Sequence, residues 1–564
     1  MRVMRRFVVL ALVLVLLLAI KINTAEDEYS DVETFRGAQL KESVFYPLIA
    51  KNINDGGGMK LTMDGDDITW SAAELYLNDN MEVMASLKFL RSVLRVPADC
   101  YEDSRVVVER NDDTYELFLD STDGMKNGEA LELKSAPVKY KESFYVPLRD
   151  ICEYFGYGYA WSTKNTSLAL YSDKENPSVL PRRYDLREKG RVSEIKDQGN
   201  TKTCWAYASI GALESGLLPE ESPNLSAEDL IENKPYTYLD NPGGDYAMAL
   251  AYLLSWKGPV VMDPKRTVKH VQEVHFYDTD DIDDIKWGVY LYGGVSTSVY
   301  ADVSAPSLGA SSYYDSSTNA YCYRGTNSPN HDVVIVGWDD HYSATNFADN
   351  VPGDGAFICQ NSWGADFGDQ GVFYVSYYDA NIGNQAVSYA KVENTDNYAL
   401  LHQMDEGGWM GQIGYGKSGA WAAAVYTAGV DETIKAAGFY ALDKETSYQI
   451  YAVSSYTSEK SLASRRLVAS GTLEDAGYYT IPFLEQINVN KGEDFAIVIF
   501  LNTPDNDHPI AIEYQRENVV GDGIDITDGT SFVSKNGLDW ESIEKTSKGN
   551  LCLKVYADEW KKEE

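Results

Sequence analysis

Beyond residue 395 the chain alternates short apolar runs with turns rich in Gly, Asp and Asn. AAAVYTAG, IKAAGFYAL, YQIYAVSS, YYTIPF and DFAIVIFL follow one another, and LCLKVYA closes the set. Runs this short, broken this regularly, predict an antiparallel β-sandwich over 395–564. Residues 182–394 have a different rhythm, with helical spacing early and strands late. In DQGNTKTCWAYASIGALES (197–215) a polar stretch with Gly199 gives way to Ile210, Leu213 and Leu217 at helical intervals. A loop that turns into a helix at Cys204 is the prediction. Residues 59–172 mix both periods and carry a weak internal repeat. Val83–Leu87 runs into FLRSVLRV, and Tyr145–Arg149 runs into DICEYFGY. A small α/β domain is expected there. The polar stretch 26–58 ends in Gly56-Gly57-Gly58 and reads as a flexible lead-in; 173–181 reads as a linker.

At the start, Arg2, Arg5 and Arg6 precede an unbroken apolar run from Phe7 to Ile20. That is a secretory pattern, short for a spanning helix, over residues 1–25. Asn23 makes the cut after Ala25 a poor one, so an uncleaved anchor is the alternative. Either way the remainder leaves the cytoplasm, secreted or held at the cell surface.

A chain of 564 residues is too long for one core, and 44% hydrophobic content supports several. The net charge of −37 excludes a nucleic-acid surface, because phosphates are repelled. Six cysteines are too few for a disulfide scaffold, although Cys100 and Cys152 fall within one domain and are free to pair. No histidine precedes His270, so the first 269 residues offer no imidazole to a metal. No cofactor is implied anywhere.

The chemistry gathers around Cys204. A cysteine at a helix N-terminus faces unpaired N–H groups and the positive end of the helix dipole, which favour the thiolate. Gln198 stands six residues earlier. His331 heads an apolar strand in SPNHDVVIVGWDD, and Asn361 ends one in GAFICQNSWGADFG, with Trp363 two places on. Taken singly, each has a bland reading: a buried small cysteine, a core histidine, a turn asparagine, a loop cap. Together, Gln-Gly, Cys-Trp-Ala, Asn-His and Asn-Ser-Trp-Gly in this order resemble the papain-like cysteine peptidases. Pro181 with Tyr184-Asp185-Leu186-Arg187 resembles that family's mature N-terminus, and Gly243-Gly244 the pair that lines its cleft.

The resemblance spans about 180–392. It implies Cys204 as nucleophile, His331 as base and acid, Asn361 as the group that orients the ring, and Gln198 with the Cys204 N–H as oxyanion donors. Trp363 shields the His–Asn hydrogen bond, and Gly243, Gly244, Asp332 and Trp363 are the substrate-binding residues. One departure is Thr201, where the family carries a cysteine, so its loop disulfide is absent. A second is Asp332, directly after the histidine. There the family has a small apolar residue beside the substrate's second residue upstream of the cut. Asp332 either faces that pocket and favours Arg or Lys, or turns away to pair with a base or cap a turn.

SFYVPLRDICEYFGYGYAWSTKNTSLAL resembles the copper amine oxidase N-terminal domain. GTSFVSKNGLDWESI and the strands before it resemble the lectin-like domain of bacterial papain-like peptidases. The implied fold class is multidomain α+β. A papain-like two-lobe peptidase (helical lobe plus β lobe) is flanked by a small α/β domain and an antiparallel β-sandwich. The implied function is an exported cysteine endopeptidase with protein or peptide substrates and a glycan or cell-surface ligand for the C-terminal domain. Membrane contact is confined to an uncleaved N-terminal anchor. The alternative is a surface adhesin with a vestigial peptidase. Two further patterns are set aside. Gly411–Ser418 satisfies G-x-x-x-x-G-K-S but lacks a helix after it. Asp522, Asp525 and Asp528 have no EF-hand spacing.

Overall fold

The computed structural model describes Tyr46–Pro47 and residues 60–560, except 64–65, 69–73, 79–81, 102–103, 111–112, 141–142, 163–166, 173–179, 239–242, 279–281, 303–310, 474, 516–518, 521–524 and 526–529. The expected signal segment 1–25, nearly all of the lead-in, most of the linker, Asp522 and Asp528 lie outside the described residues. No helix among the described residues is long and apolar enough to cross a membrane. The chain divides into two compact units, Met1–Leu180 and Pro181–Glu564.

In the first unit the internal repeat takes a physical form. Strand Val83–Ser86 feeds helix Leu87–Ser92, and strand Ser143–Pro147 feeds helix Leu148–Tyr154. The two strands pair antiparallel, Ala85 opposite Val146, in one five-stranded sheet. Ser86 caps its helix by accepting from Phe89 N at 3.0 Å. A meander of five strands from Ala98 to Glu132 and a four-stranded sheet complete the unit. Their inward residues, among them Leu61, Leu90, Val106, Val146 and Leu168, form one core. Cys152 is buried in that core and Cys100 packs against it; both are free thiols, as are the other four cysteines.

The second unit opens with a helical layer: Cys204–Leu217, Ala227–Glu232 and Tyr246–Leu254, with Ile282–Tyr292 further on. Helix Cys204–Leu217 is buried on nearly all sides, and its glycines allow it. A Cβ on Gly216 would lie 2.8 Å from the Tyr292 carbonyl oxygen. Glu214 is carried into this interior by Lys196 Nζ at 3.1 Å and the Leu225 N–H at 2.7 Å.

The helices pack on a thirteen-stranded sheet. One end holds Ala356–Gln360, His331–Asp339 and Val295–Val299 side by side. The sheet then continues through Asn384–Asn394 and Lys269–Tyr277 into Gly477–Val489, Glu432–Ala441 and Leu553–Glu559. Val274 pairs with Tyr478, so the backbone ladder crosses the change of pattern at 395 without a break. Strand Thr237–Tyr238 also pairs with Val519–Val520.

Past 395, a six-stranded sheet lies over the far end of the long one. Period two sorts its faces. Ala420, Ala422, Ala424 and Tyr426 enter the core between the sheets with Ile434, Phe439 and Val555, while Ala423 and Val425 on the other face join a second buried cluster with Phe532. Strand Gly411–Ile413 is followed by strand Gly419–Thr427, not a helix, which removes the phosphate-loop reading.

Candidate active site

Each candidate side chain sits where an element begins or ends. Cys204 is the first residue of its helix, after Thr203, whose side chain makes no cap. The backbone N–H groups of Asp332, Trp205 and Cys204 itself favour the thiolate, so they lie close to Sγ.

His331 is the first residue of strand His331–Asp339 and only 7% exposed. Its Nε2 donates to Asn361 Oδ1 at 2.9 Å. The same Oδ1 accepts from Ser362 N at 2.8 Å, which fixes the amide with its oxygen toward the ring. The imidazole proton is therefore on Nε2, and the free lone pair is on Nδ1. Trp363 stacks on the ring at 4.6 Å between centroids and 23° between planes.

Gln198 is locked by the segment that follows Asn361. Its N–H donates to Ser362 O at 2.8 Å, and its Oε1 accepts from Ser362 Oγ at 2.6 Å. One Nε2 hydrogen goes to Thr201 O at 2.7 Å, and the second remains for a ligand. Thr201, the residue at the missing cysteine, ties the loop by donating its Oγ1 hydrogen to Gln198 O at 2.7 Å. The turn itself needs Gly199, at φ +61°, with its N–H on Asp197 Oδ1 at 2.8 Å.

Gly244 presses on the residue after the nucleophile. A Cβ there would stand 2.3 Å from Trp205 Cε2, so only glycine lets this backbone lie on the indole. Gly243 before it is buried. Asp332 does not pair with a base among the described residues; its Oδ1 accepts from Ser298 Oγ at 2.6 Å. Ser298, Ser362 and Asp245 are the site residues that motif reading missed. Nothing local marks the two serines, whereas Gly243-Gly244-Asp245 before a helix is a cap signal.

The electrostatics differ from the expectation of a resting thiolate. Burial pushes the Cys204 thiol up to about 12, and the Asp332 carboxylate adds to it, outweighing the three N–H groups. Burial pushes His331 down to about 4, against the help of Asn361. Each partner alone favours its neutral form. Among the described residues no group of three His, Cys, Asp or Glu is placed to hold a metal ion.

Comparison with known proteins agrees with this layout. Residues 180–391 match the papain family cysteine protease model, 401–557 the lectin like domain and 62–170 the copper amine oxidase N-terminal domain. The chain is 28% identical over 240 residues to cathepsin S of Mus musculus, covering 39% of this chain and 64% of the relative. It is 25% identical over 242 residues to a cysteine protease of Blomia tropicalis, covering 37% and 66%. The match thus spans less than two thirds of either relative. Two structures share the fold. One is the clostridial cysteine protease Cwp84 after propeptide cleavage, with TM-score 0.59 and 23% identity over 67% of this chain and 99% of that one. The other holds the cysteine protease and lectin-like domains of Cwp84, a surface layer associated protein of Clostridium difficile, with TM-score 0.58 and 22% identity over 68% and 90%. Residues 180–391 thus resemble a papain family cysteine protease domain, and in the sequence they lie between stretches similar to a copper amine oxidase N-terminal domain and to a lectin like domain.

Proposed function

We propose that the chain is an exported cysteine endopeptidase that cleaves peptide bonds through Cys204, His331, Asn361 and Gln198. The observation that carries this is the tautomer lock. Asn361, held by Ser362 N, accepts the Nε2–H hydrogen bond of a His331 ring stacked by Trp363.

Nδ1 is then the base for the thiol. Since burial disfavours each charge alone, thiolate and imidazolium form together, each neutralising the other. The thiolate attacks the carbonyl carbon. The oxyanion meets the Cys204 N–H and the spare Nε2 hydrogen of Gln198, a donor worth about 3 kcal/mol in such sites. The imidazolium protonates the leaving amine, and water, deprotonated by the same ring, releases the acyl group. Gly243 and Gly244 supply backbone for an extended peptide, with Asp332 beside it and Trp363 covering the His–Asn pair. The lectin like match at 401–557 supports a glycan or cell-surface ligand for the C-terminal region. Export is supported by the apolar run Phe7 to Ile20.

The test combines turnover of fluorogenic peptides with alkylation of Cys204 by iodoacetamide. Cys204→Ala should abolish turnover in a folded protein, and His331→Ala nearly so. Full activity in Cys204→Ala would refute the assignment. A wild type inert toward every protein and peptide, yet retained on cell-wall glycans, would favour the adhesin.

A further inference from the structure

His331 is reached through a stretch with no helix or strand of its own. Residues 322–330 run from strand Ala320–Tyr321 to the start of His331–Asp339 as irregular backbone, so side chains elsewhere must meet its polar groups. Asn330, directly before His331, is held from the adjacent strand end. Its N–H donates to Val299 O at 3.0 Å, its Oδ1 accepts from Ala301 N at 2.7 Å and its Nδ2 donates to Ala301 O at 2.9 Å. Val299 is also the residue paired with His331.

A carboxylate holds the other end. Asp379, in the turn after strand Val372–Ser376, is only 7% exposed. Its Oδ2 accepts from Tyr323 N at 2.6 Å, and its Oδ1 accepts from Asn381 N at 2.9 Å and Ile382 N at 3.1 Å. Ala380 N donates in return to Tyr323 O at 2.7 Å. The turn continues to Gly383, whose N–H donates at 3.0 Å to Thr297 Oγ1, on the strand paired with that of His331. One carboxylate therefore ties the stretch that leads into His331 to a turn seated on the strand beside it. Among the described residues no Lys or Arg pairs with it; backbone N–H groups alone meet the charge.

Three donors suit a carboxylate and not the acid. A proton on either oxygen turns a donor toward an N–H, and at least one of the bonds is lost. Burial outweighs the three N–H groups and raises this carboxyl to about 6. The titratable groups around it are the Cys322 and Cys359 thiols and the Tyr321 phenol. Burial pushes each of them up and the Asp379 charge adds to it, so all three are neutral near pH 6. Arg324 and Asp349 act on Cys322, and Asp302 and Tyr313 on Tyr321.

We propose that Asp379 is a positioning residue for the reaction: its ionised carboxylate fixes the entry to His331, and its protonation loosens that entry and lowers turnover. This rests on the reading of Cys204 and His331 as the reacting pair. Global stability moves the other way. A carboxyl raised on folding adds stability when protonated, fully present below its ordinary value of 3.8 and lost as pH rises through about 6. Acidification to pH 5 therefore does not unfold the protein on account of Asp379.

The experiment follows fluorogenic-peptide turnover and iodoacetamide alkylation of Cys204 in the full chain from pH 5 to 8. In the wild type kcat should fall about 10-fold between pH 7.5 and 5 along a limb centred near 6, with KM changed less than about 2-fold. Alkylation, which draws on the same His331, should slow along that limb. Asp379→Asn, which like the acid turns a donor toward one N–H, should show the low kcat already at pH 7.5 and no limb near 6. Thr297→Val cuts the tie at Gly383 and keeps the carboxylate, so kcat should fall about 3-fold with the limb retained. Urea denaturation should show the wild type gaining stability relative to Asp379→Asn as pH falls through 6. A wild-type kcat that is flat from pH 5 to 7.5, or a limb near 6 that survives in Asp379→Asn, would overturn the proposal and leave the peptidase reading standing. A wild type without turnover, with Cys204 unreactive toward iodoacetamide, would bring down both.

Discussion

His275 should make the seam between strands Lys269–Tyr277 and Gly477–Val489 sensitive to alkaline pH. It lies on strand Lys269–Tyr277, where that strand meets Gly477–Val489, and is only 6% exposed. Its Nε2 is 2.8 Å from Glu273 Oε1 and its Nδ1 is 3.2 Å from Asp475 Oδ2. Burial works against the imidazolium, but Asp475 and Glu273 prevail and hold the pKa up at about 9. A pKa raised on folding contributes stability below the unfolded value, near 6.5, and the contribution disappears as pH rises through 9. The difference corresponds to about 3 kcal/mol, lost mostly between pH 6.5 and 9.5. Urea denaturation of the full chain at half-unit steps would measure it, beside Asp475→Asn. The wild type should lose stability over that window, and the variant should lose less, by roughly 1–2 kcal/mol. Parallel wild-type and variant curves would show that His275 is not held charged at the seam.

Three other outcomes are expected. Gly244→Ala must displace the Trp205 indole beside Cys204, so kcat/KM should fall at least about 10-fold with a stability loss of roughly 1–3 kcal/mol; wild-type turnover would mean the contact is soft. Ser362→Ala frees Gln198 Oε1 and leaves Asn361 in place, so kcat should drop about 10-fold while Cys204 alkylation stays normal; a loss in KM alone would argue against oxyanion support. Deleting 400–564 should abolish turnover or give an aggregating protein, measured by light scattering and short-peptide assay. The cut strips strand Lys269–Tyr277 of its partner Gly477–Val489 and Phe276 of its neighbours Trp409 and Tyr440; a monomeric, active truncation would refute that dependence.

The sequence carried local features well and long-range ones poorly. The loop-to-helix turn at Cys204, the strand that begins at His331 and the paired strand–helix repeats follow from spacing within a few residues. Strand runs beyond 395 were equally plain, because period two needs no knowledge of a partner. What period two omits is which strand lies alongside. YYTIPF reads as a sandwich strand, and nothing in it reveals that Tyr478 pairs with Val274, some two hundred positions earlier. Motif order pointed to Cys204, His331, Asn361 and Gln198, and the structure adds the contacts that hold them. Ser362 acts through a side chain that reaches back to Gln198. A thiolate-favouring site was expected from the helix N-terminus alone. Burial and Asp332, both products of the fold, reverse that balance for the isolated thiol.

The same long-range pairing bears on what the C-terminal layer does for the cleft. Val519–Val520 pairs with Thr237–Tyr238, and the Tyr238 hydroxyl holds Asp245. Asp245 caps helix Tyr246–Leu254, and Gly244 before it rests on Trp205, the residue after Cys204. Three contacts, the ladder, the Tyr238–Asp245 hydrogen bond and Gly244 on Trp205, therefore lead from the lectin like region to the residue beside the nucleophile. The first is a ladder of two residues, worth only about 1–2 kcal/mol, so it steadies that wall without freezing it. The firm attachment is elsewhere, in the shared sheet at Val274 and Tyr478. The helical wall bearing Gly244 is thus tied to the C-terminal layer by two residue pairs, and the sheet bearing His331 and Asn361 by a continuous ladder.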